Sequence, residues 1–260
     1  PQLARSPCAL VAMTRVRNES LILGDTLDHI GHFADAIVAY DDASDDRTLE
    51  ILRSHSKVAF IIRNSEWLPG IPERLEAETR HRGLLLSLIR DRFAADWCFC
   101  FDADERYVGD ISAYIRQAQT TDIDGVRIQL FDAYMTPDDH LPYHHDRPLL
   151  NFRRMFGPER RDILMLWRNR PSVHFTGLDR REPCGVHRTV TQFHCQHYGK
   201  AISEAQWEST CDYYVNHFPE DPYGRKWRAR KGHAIHLTSD FGRPLCAWGP
   251  HLFDSAVPIG

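Results

Sequence analysis

Short apolar runs alternate with amphipathic stretches through the first hundred residues. Residues 9–13, 36–40, 57–62 and 97–101 are apolar runs of strand length. Between them, residues 18–33 carry Leu21, Leu23, Leu27, Ile30 and Phe33 at helical spacing, with Asn18 placed to cap the start and Gly31 near the end. A second helix opens at Asp45-Asp46-Arg47-Thr48 and runs to about Ser54. A third covers residues 73–93 with Leu75, Leu84, Leu85, Leu88 and Ile89. Residues 64–72, with Trp67-Leu68-Pro69-Gly70, read as a loop. Strands alternating with helices predict an α/β fold with a mostly parallel sheet flanked by helices. In such a sheet all the strand ends that carry polar residues fall on one edge, where ligands bind.

After residue 105 the pattern changes. Residues 111–119 read as a helix and 125–131 as a strand. Residues 137–148, rich in Pro, His and Asp, read as an irregular loop. Four short strands are expected at 152–156, 163–167, 173–175 and 190–197. A helix with Trp207, Tyr213 and Tyr214 follows at 203–217, and an extended tail starts at Phe241. Without repeats or a clean linker, the expectation is a single domain over 1–260. Its halves are a nucleotide half at about 1–106 and an acceptor-side half with the tail at about 107–260.

Composition narrows the classes. A hydrophobic content of 42% and a charged content of 26% are those of a water-soluble globular protein. A net charge of −4 argues against a general nucleic-acid binder. No apolar run is long enough to span a bilayer, and the stretch 1–7 lacks the apolar core of a secretion signal. Seven cysteines without a regular framework predict reduced thiols and a cytoplasmic setting. Oligomeric state is not predicted.

The candidate chemistry lies at strand ends. Phe101-Asp102-Ala103-Asp104-Glu105 follows the fourth strand, and carboxylates two apart on extended backbone point the same way. That pair suits a hard divalent cation bridging to substrate phosphates. Asp41-Asp42 ends the second strand, where a carboxylate accepts hydrogen bonds from a base or ribose. Ser44, Asp45 and Asp46 serve the next helix start. Arg80 or Arg82, on the helix before the acidic strand, supplies a positive contact or only a solvated face. Cys98 and Cys100 read as core packing. The basic run Lys226, Arg228, Arg230 and Lys231 reads as a solvated face or a tail that closes over a diphosphate.

Three segments occur in order: residues 13–19 (Met-Thr-Arg-Val-Arg-Asn-Glu), 41–48 (Asp-Asp-Ala-Ser-Asp-Asp-Arg-Thr) and 102–105 (Asp-Ala-Asp-Glu). Together they resemble glycosyltransferase family 2, with its GT-A (Rossmann-like) nucleotide-sugar fold. The resemblance covers about residues 9–106 and, more weakly, 150–217. It implies metal-dependent sugar transfer, with inversion, from a nucleoside-diphosphate sugar, UDP-linked by preference, and Mn2+ or Mg2+. It places Asp42 on the base, usually uracil, and Thr14 and Arg15 in the nucleoside pocket. It makes Asp104 the main metal ligand, with Asp102 on the ribose or the metal's water shell and Ala103 between them in the donor-binding stretch. A late histidine completes the metal's coordination in similar proteins, which implies His197, with His194 second.

Residues 166–177 resemble a family segment on the acceptor side. A His-Glu pair often follows it, whereas this chain reads Leu178-Asp179-Arg180-Arg181-Glu182. A carboxylate must take the acceptor's proton, so Glu182 and Asp179 are the candidate bases. Cys184-x2-His187 with His194-x2-His197 also has spacing reminiscent of a zinc site. Two other classes stay open. A sugar nucleotidyltransferase usually carries a glycine-rich loop after the first strand, and residues 13–18 have no glycine. A non-catalytic nucleotide-sugar-binding module is the other. The acceptor, whether small molecule, glycan, peptide or modified base, is not predicted.

Overall fold

The computed structural model describes residues 5–68, 71–177 and 181–259. Contacts divide the chain into two compact units. The first comprises Pro1–Ala103, Val108–Ile128 and Ile163–Phe193; the second comprises Asp104–Tyr107, Gln129–Asp162 and His194–Gly260.

The first unit opens with β1 (Ser6–Val16), α1 (Leu23–Gly31), β2 (Ala36–Asp42), α2 (Thr48–Ser54), β3 (Val58–Asn64), α3 (Ile71–Arg92) and β4 (Phe93–Cys100). The four strands are parallel in the order β3-β2-β1-β4. Alternation sorts their side chains to two faces. On one face Val11, Met13, Val38, Tyr40, Cys98 and Cys100 pack against Leu85, Leu86 and Ile89 of α3. On the other, Phe99 meets Phe33, just past α1, edge-on at 5.2 Å, and Leu23, Leu27 and Ile30 are buried. The register pairs Met13 with Cys100, Val16 with Asp41 and Asp42 with Asn64. The polar ends of these strands therefore share one edge, as the sequence predicts.

The chain continues through β5 (Glu105–Val108), α4 (Ile111–Ala118), β6 (Gly125–Tyr134), β7 (Met155–Arg168) and β8 (Thr189–His197). It ends with α5 (Glu204–His217), α6 (Arg225–Arg230), β9 (Cys246–Ala247), α7 (Pro250–Asp254) and β10 (Val257–Pro258). The sheet has ten strands in the order β3-β2-β1-β4-β7-β6-β8-β5, with β9 and β10 added along β7. The parallel block ends at β4, because β7 pairs with it antiparallel. The α/β class holds, in a mixed sheet whose parallel block is β1 to β4.

Several expected boundaries move. The first helix starts at Leu23 rather than at Asn18, because Asn18 adopts φ 54° and caps nothing in α1. Instead its N–H donates to Ser44 Oγ and its Oδ1 accepts from the Asp45 N–H, which ties two strand-end loops together. β4 begins at Phe93, which the sequence places at the end of the preceding helix, and takes in residues 94–96 ahead of the expected strand. The two strands expected at 152–156 and 163–167 are one, β7. Residues 173–175 form no strand, only a bridge from His174 to Cys184. The extended tail contains β9, α7 and β10.

Candidate functional site

Each unit carries a polar cluster. In the first unit it is built on the shared strand edge. Asp42 is 3% exposed. Its Oδ2 meets Arg15 Nη2 at 2.5 Å, and its Oδ1 accepts from Asn64 Nδ2 at 2.7 Å. Arg15 continues to His81, with Nε donating to Nδ1 at 3.2 Å, and to Glu78 Oε1 at 3.4 Å. Because His81 Nδ1 accepts, its proton sits on Nε2, which is buried with no partner among the described residues. The ring stacks on Tyr40 at 3.7 Å. Burial, and then the Arg15 charge, push the His81 pKa down to about 4. Burial and the Asp42 carboxylate raise the Tyr40 phenol. Thr14 is fully buried, and its hydroxyl also has no partner among the described residues. Asp41 faces away from Asp42 and serves the loop, accepting from the Ser44 N–H and meeting Arg63 Nε at 3.1 Å.

At the end of β4, Asp102 lies 3.6 Å from Arg82 Nη2 and 3.1 Å from Arg181 Nη1. Arg82 is buried and Arg80 is exposed. Arg82 is the one of the two that meets Asp102, while Arg80 acts electrostatically on Tyr40 and His81. One helical step turns a side chain by about 100°, so residues two apart face very different ways. The Ala103 carbonyl accepts from Thr26 Oγ1 at 2.6 Å, which anchors this turn to α1. Glu182, a candidate base, is engaged through Oε1, accepting from Arg127 Nη2 at 2.7 Å and from the Leu164 N–H at 3.0 Å. That is the environment of a structural brace for β6 and β7. Asp179 lies outside the described residues.

In the second unit Asp104 and His197 are brought together, with Asp104 Oδ2 3.2 Å from His197 Nε2. On its other side, His197 Nδ1 is 2.6 Å from Asp132 Oδ1. Asp132 also meets Arg161 Nη2 at 2.5 Å and Lys200 Nζ at 3.1 Å. Burial disfavours charge on His197, yet Asp104 and Asp132 outweigh it and raise the pKa to about 10. Burial likewise opposes ionisation of Asp132, but Lys200, His197 and Arg161 hold it well below the ordinary carboxylate range. Gly199 lies against this pair. A Cβ there would stand 2.8 Å from Asp104 Oδ2 and 2.8 Å from His197 Cε1. The glycine therefore keeps the space beside both ligand atoms clear.

These residues fit a divalent cation in part. Two ligands about 3 Å apart span the edge of an octahedron with bonds of about 2.1 Å, and Asp104 and His197 are so spaced. A carboxylate behind the histidine, here Asp132, is the usual support for such a ligand. Among the described residues, however, no group of three or more His, Cys, Asp or Glu side chains is gathered to hold a metal. The same finding removes support from the zinc reading of Cys184, His187, His194 and His197. His194 stacks flat on Phe253 at 3.8 Å and lies among Phe131 and Trp248. The strand alternation that set His194 and His197 on opposite faces separates them as expected.

Sequence reasoning missed Asp132, Lys200, His81 and Gly199. Only Gly199 left a signal, as the residue after His197-Tyr198. A surface cleft of about 690 Å³ beside α2, lined by Asp45, Asp46, Arg47, Arg53 and Arg63, contains none of the candidate donor residues. No described helix is long and apolar enough to cross a membrane.

No family model matches the chain. Over 114 residues it is 36% identical to an uncharacterized protein of Mycobacterium tuberculosis, and equally to one of Mycobacterium bovis. Each match covers 44% of this chain and 27% of the relative, so the chain corresponds to about a quarter of those proteins' length. Among solved structures, it is similar to a 4-diphosphocytidyl-2C-methyl-D-erythritol synthase at 12% identity and TM-score 0.36, over 64% of this chain and 76% of that one. It is similar to HddC from Yersinia pseudotuberculosis complexed with GMP-PN at 10% identity and TM-score 0.38, over 73% and 93%. A protein named as a glucose-1-phosphate thymidylyltransferase of Bacillus anthracis gives 11% and 0.34, over 87% and 85%. Likenesses at these scores bear no weight on activity or on residue roles.

Proposed function

We propose that this chain is a metal-dependent transferase of nucleotide-sugar chemistry, moving a sugar from a nucleoside-diphosphate donor to an acceptor. The observation that carries the reading is the Asp104–His197 pair, 3.2 Å apart beside a glycine that keeps the space clear. Mn2+ or Mg2+ held by that pair would act as a Lewis acid on the charge that develops on a departing diphosphate. Asp42 is the proposed acceptor for a base N–H. Both its oxygens already bind protein donors, but a carboxylate has about four acceptor sites, so capacity remains. Thr14 and Arg15 belong to the same edge, and Asp102 is the proposed ribose contact, held by Arg82 and Arg181. Glu182 retains Oε2 for a proton, and Asp179 remains the second candidate base.

Sugar nucleotidyl transfer is the second reading, and it is the activity named for one of the structural neighbours. Against it, the loop after β1 has no glycine. The arginines at this strand end are also engaged by protein, Arg15 of β1 by Asp42 and Arg17 of the loop by the carbonyls of Asp42 and Ala43.

The test is a product assay with Mn2+ and a panel of nucleotide sugars, run beside nucleoside triphosphates with sugar 1-phosphates. Release of nucleoside diphosphate from one donor supports glycosyl transfer. Release of pyrophosphate supports the second reading. Asp104→Ala should reduce either activity by at least about 100-fold while the fold persists. An Asp104→Ala variant with full metal-dependent activity would sink the reading.

A further inference from the structure

We propose that Asp132 is the positioning residue that fixes His197 for the cation, an inference that rests on the metal reading above. Asp132 lies on β6, and its Oδ1 is 2.6 Å from His197 Nδ1. An ionised carboxylate only accepts, so Nδ1 donates to Asp132, and Nε2, which faces Asp104, is the nitrogen whose proton a cation would replace. The carboxylate is itself held. Arg161 Nη2 approaches Oδ1 at 2.5 Å, and Lys200 Nζ approaches Oδ2 at 3.1 Å. Lys200, 8% exposed, is fixed in turn by Asp240 Oδ2 at 2.7 Å and the Tyr134 hydroxyl at 3.0 Å, and Asp240 also meets Arg230 at 2.8 Å. The imidazole therefore stands at the end of a buttressed chain of charged groups. Tyr134 and Asp132 are two apart on β6, so one strand face presents both.

A purely structural role, in which Asp132 only neutralises Lys200 and Arg161, is the rival. Mn2+ titration followed by electron paramagnetic resonance separates them, with thermal melting in parallel. Wild type should bind Mn2+, and Asp132→Asn should weaken binding by about 10- to 100-fold. Asp132→Glu keeps the charge for Lys200 and Arg161 but displaces the oxygen that meets Nδ1. It should melt closer to wild type than Asp132→Asn and still lose Mn2+ affinity. Asp240→Asn, which loosens Lys200 and Arg230 but leaves Asp132 in place, should keep Mn2+ affinity within about threefold of wild type. Unchanged affinity in both Asp132 variants overturns the positioning role and leaves the metal reading standing. A wild-type chain that binds no Mn2+ overturns both.

Discussion

His81 couples the first unit's stability to pH. The ring is 1% exposed, stacked on Tyr40 and beside Arg15, so it stays neutral to about pH 4 when folded. In the unfolded chain it takes a proton near pH 6.5. Its folded pKa is depressed, so the contribution is complete above about pH 6.5 and is lost as pH falls toward 4. The loss is at most about 3 kcal/mol. His81→Phe keeps a ring on Tyr40 and removes the titration. Denaturant melts at pH 7 and 4.5 should show a smaller drop in the variant than in wild type, and equal drops would count against a neutral His81. Gly199 gives a second prediction. In Gly199→Ala the new methyl meets Asp104 Oδ2 and His197 Cε1 at 2.8 Å. Thermal stabilisation by Mn2+ should shrink markedly, with little change in the metal-free melting temperature. The sequence marks Asp42 and Asp104 at the ends of readable strands, and His197 is marked by the family resemblance, which implies a late histidine. It did not mark Asp132, which lies 65 residues before His197 and looks like any polar strand position. Partners that far apart are joined only by sheet order, and sheet order is not a local property.

At the scale of elements, β1, β2 and β4 were readable because parallel strands buried on both faces are short unbroken apolar runs, and β3, partly exposed at the sheet edge, was readable from its apolar sequence. Their boundaries were less so. Residues 91–96, at the join of α3 and β4, mix charged and apolar positions, and the backbone enters the sheet at Phe93 because that ring packs in the α3 core. β7 reads as two strands because its middle, Glu159 to Asp162, is charged. In the structure Glu159 is buried against Ser239 and Arg243. The start of α4 follows local chemistry more closely. Asp110 accepts from the Ala113 N–H at 2.8 Å at the start of α4. Asp110→Ala should therefore cost about 1 kcal/mol in a denaturant melt. A change below a few tenths would mean that tertiary packing of Ile111 and Ile115 alone sets the start of this helix.

For the molecule as a whole, thiol accessibility checks where the core lies. All seven cysteines are thiols; Cys98, Cys100, Cys195 and Cys211 are buried, and Cys8, Cys184 and Cys246 are half-buried. Cys98 and Cys100 belong to the first unit's core, and Cys195 and Cys211 belong to the second unit. Burial pushes Cys98 up to about 12 and Cys211 up to about 11, so little thiolate forms at pH 8. The thiolate is the reactive species, so these sulfurs are protected by both access and ionisation. Cys8 is also raised, by burial and then by Asp35. Native protein treated with an aromatic disulfide at pH 8 should therefore show Cys184 and Cys246 reacting first and Cys8 more slowly. The remaining four should react only on unfolding, when the count rises to seven. A fourth reactive thiol in native protein, identified by peptide mass, would show that the unit containing it opens more readily than its packing implies. Readings of Asp42 or Asp104 in that unit would then need to be made on the opened form.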